Sequence, residues 1–186
     1  MVHTEGVEGS GWFVSIGGFM EVSVADVDDL LSSVRDAAKP ALFQLFDADM
    51  VAGWRHLFFA AVNAVKAFDG GTAVSRSLVM EVLLYASCQD QISQAFEVIG
   101  VSRATERVGL VVLARDADEA GKAFVRISGV LGRADDSVLE MDEAKFEGVK
   151  SVFGVSDIEL EAVGGPRKEA LTWLVVERGA LLPLRR

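Results

Sequence analysis

Seven consecutive apolar residues, Val108–Ala114, set the tightest constraint on what this chain can fold into. A run of that length, bounded by polar residues and rich in Val and Leu, reads as a strand buried on both faces. Such a strand requires a sheet around it and a covering layer on each side. The helices for those layers are legible nearby. Ala117–Leu131 reads as a helix closed by Gly132. Ala25–Ala38 reads as another, with Asp26, Asp28 and Asp29 at the positive end of its dipole. From about Val51 to Phe68, Leu57, Ala61, Ala64 and Phe68 recur at helical spacing, and Gly70–Gly71 ends that helix. Ser77–Ala86 forms a second helix in this block. The S-x-x-D spacing of Ser87 and Asp90 predicts a capping box and a third helix through Ile92, Ala95, Phe96 and Ile99, closed by Gly100.

The remaining strands are shorter. Trp12–Ile16 and Phe19–Val24 read as a hairpin turning at Gly17–Gly18, and Ala41–Phe46 as a strand closed by Asp47. Val138–Met141 reads as a short strand, and Ile158–Ala162 alternates as a strand does. Asp142–Val152 is a short helix. Gly164–Gly165–Pro166 leads into a last helix, with Pro166 suited to its first position. The expected architecture is a single α/β (α+β) domain over residues 11–186. It has a central mixed β-sheet, helices packed against it and a C-terminal helix, and follows a flexible, Gly- and Glu-rich N-terminus over residues 1–10.

Charge narrows the function. The net charge is −10, and residues 1–50 hold 2 basic and 9 acidic side chains. A chain this acidic does not bind nucleic acid through bulk charge, because phosphate neutralisation drives such binding. Any nucleic-acid contact is local or borrowed from a basic partner. The longest apolar stretches, Leu57–Val62 and Val108–Ala114, fall far short of the ~20 residues of a membrane span. The N-terminus lacks the basic start and apolar run of a signal peptide, and Cys88 alone permits no internal disulfide. A cytoplasmic protein with no membrane partner is expected.

Catalytic chemistry finds little support. His3 and His56 have no Cys, His or carboxylate at metal-ligand spacing, so no metal or cofactor is expected. Gly6–Gly11 is Gly-rich but follows no strand and opens no helix, unlike a phosphate loop. No nucleophile elbow occurs. Cys88 reads as an inert thiol in apolar surroundings, and Asp135–Asp136 as a solvated turn. The chain does not read as an enzyme.

The distinctive stretch is His56–Gly100, where Asn63, Lys66, Arg76, Ser77, Glu81, Tyr85 and Gln91 interrupt an apolar helical block. Ser75–Arg76–Ser77 sits at a helix start, where backbone N–H groups, hydroxyls and a guanidinium define an anion site, with Lys66 one helix back. On that reading the chain is a stand-alone small-molecule sensor or enzyme. On the plainer one, Arg76 pairs with Glu81 or Asp69 and Gln91 caps a carbonyl. The last helix carries two apolar stripes: Leu171, Leu174, Val175 and Leu182 on one face, and Trp173, Val176 and Ala180 opposite. A terminal helix needs one stripe for its core, so the second marks deep burial or docking.

This stretch resembles the small kinase-binding subunit of the KEOPS complex, the PRPK-binding protein family. The likeness rests on a basic residue followed by S-R-S, E-x-L-L-Y-A-S, Q-I-x-x-A and the closing G-V. It extends from the Ala41–Asp47 strand to the Ala170–Leu182 helix. The resemblance implies a non-catalytic regulatory subunit of the complex that installs threonylcarbamoyl-adenosine in transfer RNA. It implies direct docking on the complex's atypical kinase/ATPase, contact with the other subunits through that kinase, and a grip on the 3′ CCA end of the RNA. Carried over, Leu171, Leu174 and Val175 become the kinase-docking element. Lys66, Arg76, Ser77 and Gln91 become the RNA-facing residues.

Overall fold

The computed structural model describes residues 3–185; residues 1 and 2 of the expected flexible segment, and residue 186, lie outside it. Val108–Ala114 forms the strand that the apolar run predicts, with all seven residues buried. Counted in chain order, it is β4, and it lies inside a four-stranded sheet of order β1-β2-β4-β3. The other strands are β1 (His3–Val7), β2 (Trp12–Phe19) and β3 (Leu42–Asp47). Every pairing is antiparallel, so the sheet is not the mixed one expected.

Two expectations about the N-terminal third change. His3–Val7 pairs with Trp12–Ile16 as an edge strand rather than fraying. Gly17–Gly18 makes no turn but continues β2, paired with Leu110 and Gly109 of β4. The glycines are there for close approach. A Cβ on Gly17 would lie 2.4 Å from Phe124 Cζ, and one on Gly18 would lie 2.4 Å from Val138 Cγ2 and 2.8 Å from the Asp135 carbonyl oxygen.

Strand alternation divides the core in two. Phe19, Leu45, Val108, Leu110 and Val112 face α1 (Val27–Ala38) and α5 (Ala117–Leu131), meeting Val34, Phe124 and Ile127. Val14, Ile16, Phe46, Val111 and Leu113 face the opposite layer. That layer holds α2 (Trp54–Asp69), α3 (Leu78–Ser87), α4 (Ile92–Ile99), α6 (Glu143–Val152), α7 (Asp157–Val163) and α8 (Arg167–Ala180). Leu57, Ala61 and Ala64 of the predicted α2 stripe are fully buried, and Phe68 is half-buried.

Helix ends follow local chemistry. Asp26 accepts hydrogen bonds from Asp28 and Asp29 N–H at the start of α1, and Asp116 accepts from Glu119 N–H at the start of α5. Three expectations fail at this level. Ser87 and Asp90 form no capping box; the Ser87 hydroxyl donates back to Leu84 O, and Gln91 is the N-cap of α4. Val138–Met141 is no strand: Asp136–Leu139 is a 3-10 turn. Ile158–Ala162 lies inside helix α7, which opens on a true capping box between Ser156 and Glu159.

Candidate functional site

The polar residues of the α2–α3–α4 block divide into buried ties and free surface groups. His56 is 2 % exposed. Its Nδ1 accepts from Ala52 N–H at 3.1 Å, and its Nε2–H donates to Ala86 O at 2.7 Å. These two bonds set the neutral tautomer. Burial pushes its pKa down to about 4, with the bond to Ala86 opposing. The ring therefore joins α2 to the end of α3 and offers nothing to a ligand.

Glu81 is also fully buried, and its carboxylate accepts from Ser75 N–H at 2.8 Å. The Ser77 N–H is donated to Ser75 Oγ at 3.1 Å. The backbone donors expected at the Ser75–Ser77 anion site are thus spent internally, with a carboxylate in the anion's place. The backbone arrangement there does not favour a second anion.

Lys66, Arg76 and Gln91 are exposed, and Ser77 is half-buried as the N-cap of α3. Among the described residues neither Lys66 nor Arg76 is paired with a carboxylate, so the pairing of Arg76 with Glu81 or Asp69 does not form. Gln91 likewise caps no carbonyl. The four do not converge on one point. Arg76 and Ser77 precede α3, and Gln91 follows it, and a helix of 10 residues is ~15 Å long.

On α8 the stripe expected to dock is the buried one. Leu171, Leu174 and Val175 are 0 %, 6 % and 0 % exposed and belong to the core with Ala170 and Leu182. Side chains already enclosed by α2 and α3 present no surface to a partner. The outward stripe is the other one: Trp173 is 38 % exposed, Val176 half-buried and Ala180 exposed.

Trp173 ends a row of rings that the sequence did not reveal. Its ring lies 5.8 Å from Phe59, Phe59 lies 5.5 Å from Phe58, and Phe58 lies 6.2 Å from Trp54. His3, from the edge strand β1, stacks on Trp54 at 4.3 Å with the planes 5° apart. Trp54, Phe58 and Phe59 are only half-buried. Their spacing in α2 is helical, but the pattern pointed equally to core. Only the docking of α8 and β1 alongside makes them one surface. Aromatic rows of this kind are enriched at protein interfaces, where large rings lose little conformational freedom.

The other reactive groups are held by the fold. The Cys88 thiol contacts Tyr85 O and Val175 O, and burial pushes its pKa up to about 12. Lys145 is 3 % exposed and donates to Val138 O at 2.9 Å; burial pushes its pKa down to about 8. Among the described residues no group of His, Cys, Asp and Glu is placed to hold a metal. No helix among them is long and apolar enough to cross a membrane.

A surface of half-buried rings and unpaired cations, over a core whose titratable groups hold backbone, suits a binding domain. Residues 21–181 match the family of the kinase binding protein CGI-121, and the chain belongs to that family. It is similar to the regulatory protein Cgi121 of Methanocaldococcus jannaschii, with 33 % identity over 113 residues. That alignment spans 61 % of this chain and 70 % of the relative. The family is kinase-binding and the relative regulatory.

Proposed function

We propose that this protein is the non-catalytic regulatory subunit of a KEOPS complex, acting in the cytoplasm. It docks on the complex's atypical kinase/ATPase, stimulates it, meets the other subunits through it, and helps hold the 3′ CCA end of transfer RNA. The observation that carries the reading is membership of a kinase-binding family together with the outward aromatic row ending at Trp173. The docking face is that row, rather than Leu171, Leu174 and Val175. Stimulation needs only a higher affinity for the active form of the kinase than for the inactive one. RNA is held along α3 by Lys66, Arg76, Ser77 and Gln91, whose free cations and hydrogen-bonding groups suit a few nucleotides. The net charge of −10 leaves most phosphate contacts to basic partners.

The test is a pull-down of the tagged protein from its native extract, with mass spectrometry of the bound proteins. Recovery of a small atypical kinase with the other KEOPS subunits is the expected result. A clean, partnerless protein overturns the subunit reading.

A further inference from the structure

A cavity of about 590 Å³ opens beside the aromatic row, between the start of α2, residues 139–141 and the first turns of α8. Trp54, Trp173 and His3 supply its aromatic wall, and Glu140 and Glu169 line it as well. Both carboxylates are exposed, and among the described residues neither has an ion-pair partner. Of the cations lining the cavity, Lys168 is already neutralised by Glu143 at 2.8 Å. The Arg55 guanidinium at 4.7 Å and the His3 ring at 4.3 Å both lie over the Trp54 ring, so the protein itself occupies Trp54, and Trp173 is the aromatic wall left to a ligand. Aromatic faces attract cations through their quadrupole, and a nearby carboxylate adds a charge-assisted hydrogen bond. Among the described residues, Glu140 and Glu169 outnumber the one other unpaired charge of the lining, Arg55, so the cavity keeps an excess of negative charge, on a chain of net charge −10.

We propose that this cavity receives a basic side chain of the kinase, an arginine or a lysine, between the Trp173 ring and the Glu140 and Glu169 carboxylates. The inference rests on the kinase-docking reading and adds the chemistry of the partner's anchor. The cavity adjoins the aromatic row through two shared residues, Trp54 and Trp173. It is large enough for a long side chain with its neighbouring backbone. An anchor seated there supplies direction to an otherwise apolar contact, because only a cation satisfies both carboxylates.

The experiment measures affinity for the purified kinase at low and high salt, using wild type, the double variant Glu140→Gln/Glu169→Gln, and Trp173→Glu. The double variant keeps its shape, because both carboxylates are exposed and glutamine is isosteric. It should bind about tenfold more weakly at low salt and lose most of the wild-type salt dependence. Wild-type affinity and salt dependence in the double variant, with binding lost in Trp173→Glu, overturns the basic anchor and leaves the aromatic docking face standing. Wild-type affinity in Trp173→Glu overturns both the aromatic face and the Trp173 wall of the anchor, whatever the double variant shows.

Discussion

His56 and Ala86, 30 residues apart, share a 2.7 Å hydrogen bond that ties α2 to the end of α3. The imidazole that makes it is fully enclosed and neutral. Burial holds its pKa at about 4, whereas in the unfolded chain it titrates near its ordinary 6.5. The unfolded state thus binds the proton more readily. The stabilisation is fully present above pH 6.5 and is lost as pH falls from 6.5 towards 4, a loss of about 3 kcal/mol. Urea unfolding at pH 7 and pH 4.5 should show that fall in wild type. In His56→Gln stability should be lower at pH 7, and this part of the pH dependence should disappear.

The two faces of α8 differ in what they contribute to stability. Leu171→Ala leaves a cavity where the side chain is 0 % exposed and should cost ~2–5 kcal/mol, read from denaturant midpoints. Leu174→Glu buries an unpaired charge and should unfold the domain outright. Trp173→Glu should remain folded, with a modest fall in Tm, because its ring is 38 % exposed and stands over Phe59 rather than inside the core.

Gly18 and Gly121 predict opposite signs. In Gly18→Ala the new Cβ meets Val138 and the Asp135 carbonyl, so overpacking should cost ~1–3 kcal/mol. Gly121 lies inside helix α5 with nothing within 4 Å of a built Cβ. There alanine should stabilise the protein by up to ~1 kcal/mol. Thermal unfolding of the two variants checks both.

The RNA reading rests most heavily on Arg76. Arg76→Glu should weaken binding of transfer RNA with an intact CCA end, and the slope of affinity against salt should fall by ~1. Affinity for the kinase should stay unchanged, because Arg76 precedes α3 and lies off the aromatic row. Fluorescence anisotropy with intact and trimmed RNA at several salt concentrations reads all three. Equal RNA affinity in variant and wild type removes Arg76 from the site.

Several misreadings have local causes. Ile158–Ala162 alternates, but over five residues an alternating pattern fits one helical turn as well. The S-D-I-E spacing of Ser156 and Glu159 was the better signal, and it belongs to the helix start that forms. Ser87 and Asp90 have similar spacing without the geometry, because Ser87 ends α3 and its hydroxyl is used there. A pair of glycines reads as a turn when neighbours are unknown. Gly17–Gly18 is instead a strand crossed closely by α5 and by the 3-10 turn at Asp136–Leu139.

By itself the sequence determined the central strand Val108–Ala114, most of the helices around it, the absence of long membrane-spanning runs and the resemblance that names the family. These depend on periodicity, caps and motif spacing, all properties of neighbouring residues. Only the tertiary structure decided which stripe of α8 faces the core. It alone joined His3, Trp54, Phe58, Phe59 and Trp173 into one surface and placed Glu81 against Ser75. A helix with two apolar faces has no internal reason to bury either one. Leu171, Leu174 and Val175 go inward because α2 and α3 stand on that side, and Trp173 is left on the surface.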